Sequence, residues 1–258
     1  MSETPKLLQA LLAGLFTWGV TALGACIVFC TKRVSGGVLD RMLGAAAGVM
    51  LASCFWSLLT PGLSLAEEVY ASAWLLPALG VALGAVVMVL GDRAAHRLHG
   101  DCETGRRRCA LLITSITLHN IPEGLAVGVA FGALTAGSDA AAVTGAWMLA
   151  FGIGLQNFPE GAAVSLPLRR EGVSAGRAFF VGQASGLVEP VSAVLGALLA
   201  TLMREALPFL LCFAAGAMLW VLLRELIPES LAHESKTAVT AWTMGGFLLM
   251  MILDVALG

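Results

Sequence analysis

Two short stretches carry the residue types that could do chemistry. His119-Asn120-Ile121-Pro122-Glu123-Gly124 and Gln156-Asn157-Phe158-Pro159-Glu160-Gly161 repeat one pattern (polar, Asn, apolar, Pro, Glu, Gly) at an offset of 37 residues. Glu189, followed by Pro190, places a third acid in another apolar run. On a helix, His119 and Asn120 share a face with Glu123, and Gln156 and Asn157 share one with Glu160. Each motif proline withholds a backbone donor from the carbonyl four residues earlier, at Leu118 and Leu155. The glycine after each glutamate leaves room for another helix or a ligand to come close. Three carboxylates gathered in a low-dielectric site repel one another and take up protons unless a divalent cation offsets them. Carboxylates, amide oxygens and one imidazole form a mixed N/O set suited to Zn²⁺, Fe²⁺, Mn²⁺ or Cd²⁺, and too poor in thiolate to favour Cu(I).

The elements that must hold these residues are membrane helices. Hydrophobic residues make up 58% of the chain, charged residues only 12%, and mean hydropathy is +0.87. A soluble domain of this length would carry about twice that share of charge. Apolar runs of roughly 20 residues, enough to cross a bilayer, are expected near 7–30, 39–60, 73–95, 110–131, 140–167, 177–202, 206–227 and 238–257. They are separated by breaks that include Ser35-Gly36-Gly37, Pro61-Gly62, Gly172 and Pro228. The expected fold is all-α, a polytopic bundle of eight transmembrane helices forming one domain over residues 1–258. No cleavage site precedes the first run, which is expected to stay as a helix. All Lys and Arg except Lys6 and Arg204 fall at alternate breaks. The positive-inside bias therefore puts those breaks in the cytoplasm and both termini outside. Ionisable groups at bilayer depth are costly and mark pathways or cavities, and the paired motifs read as a site an ion passes through.

The two motifs and Gly186-Leu187-Val188-Glu189-Pro190 resemble those of the ZIP (Zrt-, Irt-like) metal transporters, most closely the bacterial GufA-like branch, and the resemblance covers essentially the whole chain. It implies His119, Glu123, Gln156 and Glu160 as ligands of one ion, with a thioether from Met50. It implies Asn120, Glu123, Asn157, Glu160 and Glu189 around a neighbouring ion, the two motif glutamates bridging. Some bacterial relatives have Asp where this chain has Asn157, so the second ion is expected to be held more weakly. The resemblance also implies an inverted repeat of helices 1–3 and 6–8 around helices 4 and 5, alternating access, and import across a bacterial inner membrane. The implied partners are divalent metal ions and the lipid bilayer, with no nucleic acid and no prosthetic group; a homodimer is left open.

Other residues carry plainer readings. His96, His99, Cys102 and Cys109 read as a solvated stretch between helices 3 and 4 whose donor types could collect metal. His233 and Glu234 read as a polar loop after helix 7. Glu225 and Asp254 read as interfacial acids near helix ends, and Glu67 and Glu68 as an exposed acidic pair. The rival from another class is a membrane-embedded, carboxylate-bridged di-metal enzyme. The sequence offers it neither a His-rich ligand set nor a general base free of metal duty.

Overall fold

The structure, a computed structural model, describes residues 6–30, 35–99, 105–135, 138, 140–170, 172–232 and 234–257. Regular structure among them is helical throughout. Eight helical stretches are labelled here in chain order. They are α1 (Lys6–Cys30), α2 (Gly36–Glu68), α3 (Leu75–His99), α4 (Gly105–Ala133), α5 (Ala140–Arg170), α6 (Ala175–Leu202), α7 (Leu207–Ser230) and α8 (Lys236–Leu257). Six of them, α1, α2, α3, α6, α7 and α8, contain segments long and apolar enough to cross a membrane, so the chain is a multi-pass membrane protein. The remaining two, α4 and α5, have 29 and 31 residues and carry the Pro-Glu-Gly motifs. At 1.5 Å per residue each is longer than the roughly 30 Å hydrocarbon core.

Contacts between the helices sort them into two bodies. In the first, α4 lies along α6 and α1 along α5, with α1 also against α6 and α4. In the second, α3 lies along α7 and α2 along α8. Glycines let the backbones meet inside each body: Gly128 faces the Ala193 carbonyl, and Gly48 and Gly84 face those of Thr243 and Phe213. Lipid gives apolar helices no hydrophobic reason to associate, and close backbone approach through small residues supplies the packing instead. The bodies meet mainly through α2 on α5 and α4 on α7. A large apolar cluster containing Met50, Phe131, Leu149, Ile153, Met218 and Leu222 fills the space there.

Three local features differ from the expectation. Pro61 and Pro228, read as breaks, sit inside continuous stretches, so α2 runs on past residue 60 and α7 past 227. Each proline follows a wide π turn, Cys54–Leu59 in α2 and Leu222–Leu226 in α7. In α6, by contrast, the chain steps at Gly186 and Leu187, and a second helix starts at Val188.

Candidate metal site in the helix bundle

Glu123, Asn120, Gln156, Asn157 and Glu189 are almost fully buried, with exposures of 1% or less, and Glu160 is 6% exposed. The motif glycines explain how four helices, α4 on α6 and α5 on α1, close around them. A methyl group on Gly124 would press on the Glu189 carbonyl of α6, and one on Gly161 would press on the Thr21 carbonyl of α1. Each motif glutamate is thereby carried to the point where its helix touches a neighbour. The step at Gly186 puts Glu189 in the first turn of the second half of α6, where the positive end of the helix dipole favours an anion.

Hydrogen bonds hold these residues in separate small sets. Gln156 Nε2 donates to Glu123 Oε1. Asn157 Nδ2 donates to Glu189 Oε2 at 2.7 Å and to the Thr17 carbonyl at 3.3 Å. Thr21 Oγ1 donates to Glu189 Oε1 at 3.2 Å, and Asn120 Nδ2 to the Ser185 carbonyl at 2.8 Å. The three carboxylates of Glu123, Glu160 and Glu189 lie within one another's electrostatic field. The amide donors are thus spent on the protein, while Asn120 Oδ1, Glu123 Oε2, Gln156 Oε1 and Asn157 Oδ1 are buried acceptors without a hydrogen-bond partner. Each such oxygen costs about 1–3 kcal/mol. Their placement on two adjacent helices is the pattern a bound cation would satisfy, since three are amide oxygens and the fourth is a carboxylate oxygen.

His119 belongs to a second group. Its Nε2 lies 3.1 Å from Glu225 Oε1 on α7. Donor atoms of Asp92, His119 and Glu225 fall within 4.8 Å of one another. Trp220 Nε1 orients Asp92 through a 3.0 Å hydrogen bond to Oδ2. Glu229, one turn beyond Glu225, interacts electrostatically with both Glu160 and His119. It links the central carboxylates to this group, which faces the end of the bundle rich in arginine. Met50 is 1% exposed and lies in the apolar cluster between the bodies.

The sequence reading passed over Thr17, Thr21, Asp92 and Glu229, and took Glu225 as an interfacial acid without a role, whereas its carboxylate lies 3.1 Å from the His119 ring. The signal for the threonines was present in a stripe of small residues on α1 (Ala10, Gly14, Thr17, Thr21, Gly24), all buried. Asp254, also read as interfacial, accepts a 2.7 Å hydrogen bond from Ser57 Oγ. Glu234 pairs with Arg41 on α2, and its backbone N–H donates to Asp40 at 2.7 Å. Glu67 and Glu68 are exposed, as expected. His96 and His99 fall on the last turns of α3 and Cys109 on the first turns of α4; Cys102 and His233 lie outside the described residues.

Buried acids and unpaired oxygens on adjoining membrane helices define a membrane protein built to handle a cation. Comparison with known proteins agrees. Residues 99–254 match the family described as ZIP Zinc transporter. The chain is 37% identical to zinc transporter ZIP11 of Homo sapiens, over 97% of both chains. It is also 37% identical to zinc transporter GufA of Myxococcus xanthus (96% of this chain, 98% of that one). With zinc transporter ZIPB of Bordetella bronchiseptica the identity is 39% (96% and 81%). The chain belongs to the ZIP family, and GufA and ZIPB place it near that family's GufA-like branch.

Proposed function

We propose that this protein carries divalent transition-metal ions, zinc first among them and Cd²⁺, Fe²⁺ or Mn²⁺ as alternatives, across a bacterial inner membrane into the cytoplasm. The single observation that carries the proposal is a set of four buried acceptor oxygens without a hydrogen-bond partner, three from amides and one from Glu123 itself, gathered with the carboxylates of Glu160 and Glu189. Family membership and relatives named as zinc transporters support the choice of substrate. One ion would take Glu123, Glu160, Gln156 and His119, with Met50 contributing from α2. A second would take Asn120, Asn157 and Glu189 with the same two glutamates. Since the His119 ring already meets Glu225, His119 would pass the ion from the central set to Asp92 and Glu225, toward the basic face. The cytoplasm would lie at that face, with the termini outside. This arrangement supposes eight crossings, in which α1 to α3 and α6 to α8 form an inverted repeat around α4 and α5. Access would alternate as the body of α1, α4, α5 and α6 moves against the body of α2, α3, α7 and α8, whose internal contacts outweigh those between them. Two copies could assemble as a homodimer in the bilayer, with no prosthetic group in either.

A membrane-embedded di-metal enzyme has no support: the relatives are transporters by name, and with each buried acid of the central set serving as a ligand no general base would be left. Uptake of Zn²⁺ into proteoliposomes tests the proposal. Wild-type protein should accumulate the ion and Glu123→Ala or Glu160→Ala should not; full uptake by both variants would overturn it.

A further inference from the structure

The prolines of α2 and α7 behave unlike those of α4 and α5. Pro122 and Pro159 sit in helices that remain α-helical around them. Pro61 and Pro228 each stand two residues beyond the end of a π turn. The widened backbone is explicit: the N–H of Thr60 bonds to the Phe55 carbonyl, and that of Ile227 to the Leu222 carbonyl, five residues back in both cases. Proline withholds a donor and crowds the carbonyl four residues earlier. One extra residue in the turn relieves that crowding, but α4 and α5 do without it, so proline alone does not require the π turn.

Burial supplies the other half of the account. Met50, Cys54, Leu58, Gly62 and Ala66 are buried along α2, and Ala214, Met218, Leu222, Leu226 and Ser230 along α7, both at a strict spacing of four. On an α-helix residues four apart drift by about 40° per step, so a stripe of this kind would wind out of the interface. A wide turn takes up the drift and keeps the stripe on one face. Such turns recur where a helix re-aims functional side chains.

Both turns face the seam between the bodies, at opposite ends. The turn in α2 contains Ser57, whose hydroxyl meets Asp254 of α8. That pair lines a cavity of about 340 Å³ walled by α2, α4, α5, α7 and α8 on the side away from the arginines. The turn in α7 contains Glu225, whose carboxylate meets His119 of α4 beside Asp92 of α3, on the arginine side. In each case the π turn presents one polar residue to an acid or base carried by another helix, and a lipid-facing residue takes up the outside of the turn: Phe55 at 48% exposure and Leu223 at 66%.

We propose that these π turns are a matched pair of positioning turns, one at each mouth of the ion's route. The turn in α2 holds Ser57 to Asp254 and governs access from the side away from the arginines. The turn in α7 holds Glu225 to His119 and governs access from the arginine side. The proposal rests on the transport reading above and adds to it where each mouth is set and by what backbone device. Deleting the lipid-facing residue from a wide turn leaves the flanking helices in their packed registers and re-aims only the residues between them.

The test is Zn²⁺ flux in proteoliposomes with the ion supplied from either face. It compares wild type with single deletions of Phe55 or Leu223, and with Phe55→Ala and Leu223→Ala, which keep the turns. The Phe55 deletion should raise half-saturation about tenfold from the face away from the arginines and leave the other face within about twofold; the Leu223 deletion should do the reverse. The two alanine variants should behave as wild type. Ser57→Ala and Glu225→Gln, which leave the backbone alone, should reproduce the same one-sided defects and stand in if a deletion fails to fold. Equal defects from both faces, or none, would overturn the proposal while wild-type flux leaves the transport reading intact; no flux in the wild type would overturn both.

Discussion

Asn157 gives one amide hydrogen to Glu189 Oε2 at 2.7 Å and keeps its own carbonyl oxygen buried without a donor. A neutral amide thus sits where a carboxylate would face another carboxylate. The contact stabilises the ion-free site, because a charged acceptor gains a donor, and it withholds one negative charge from any ion bound beside Glu189.

Asn157→Asp tests that exchange. Without metal, the new carboxylate faces Glu189 across the same gap and loses the hydrogen bond. The variant should be less stable in chelator by roughly 1–3 kcal/mol. With Zn²⁺ it should recover that loss and gain more melting temperature than wild type, because the second ion now meets four charged ligands in place of three. Thermal unfolding in detergent, with EDTA and with excess Zn²⁺, reads both; an unchanged difference between the two conditions would contradict the account.

Thr21 is the hydroxyl that fixes the other oxygen of Glu189. Thr21→Val keeps the volume and removes the donor, at a cost of roughly 1.5–3 kcal/mol for a bond to a charged acceptor. Zn²⁺ affinity by calorimetry should fall about tenfold, and Thr21→Ser should restore it. If valine binds as tightly as threonine, Asn157 and Thr17 suffice to orient Glu189.

Gly161 lets α5 lie on α1 at the Thr21 carbonyl. Because the obstacle is backbone, an added methyl cannot be accommodated by a rotamer change. Gly161→Ala should separate the two helices and lower stability by about 1–3 kcal/mol, and Zn²⁺ affinity should fall with it, since Glu160 precedes this residue directly. By comparison Gly145, with open space around it, should accept alanine without effect on either measurement.

At the arginine face, Glu234 lies outside the membrane helices. The Ser235 N–H and then the Arg41 guanidinium hold its carboxyl below the usual carboxylate range. A carboxyl with a lowered folded value stabilises above its unfolded value, near 4, and that contribution is lost as pH falls through the folded value. The contact between the start of α2 and the turn before α8 should therefore hold at neutral pH and weaken below about pH 4. In Glu234→Gln the acid-side dependence of the melting temperature should flatten. A melting curve with the same acid slope in wild type and variant would exclude this role.

Legibility in the sequence tracked the range of the interaction. The twin motifs were readable because helical spacing places Asn120 with Glu123 and Gln156 with Asn157 and Glu160 within a single turn, and the structure buries all of them. The position of His119 was readable only in part: its place on the helix is local, but whether its ring turns to Glu123 or to Glu225 depends on where α7 lies. The π turns left a trace in the four-residue spacing of Met50, Cys54, Leu58, Gly62 and Ala66. That trace is visible only once burial is known, since nearly every neighbouring residue is apolar as well.

By itself the sequence determined that this chain lives in a membrane and which helices carry acids into it, because composition and short-range periodicity need no neighbours to be expressed. Tertiary structure alone decided which donors those acids receive, that Glu229 lies in the electrostatic field of both Glu160 and His119, and how eight helical stretches divide into two bodies. The physical reason is that lipid leaves helix association to close backbone contacts, and a glycine's partner, unlike its spacing, is written on another helix.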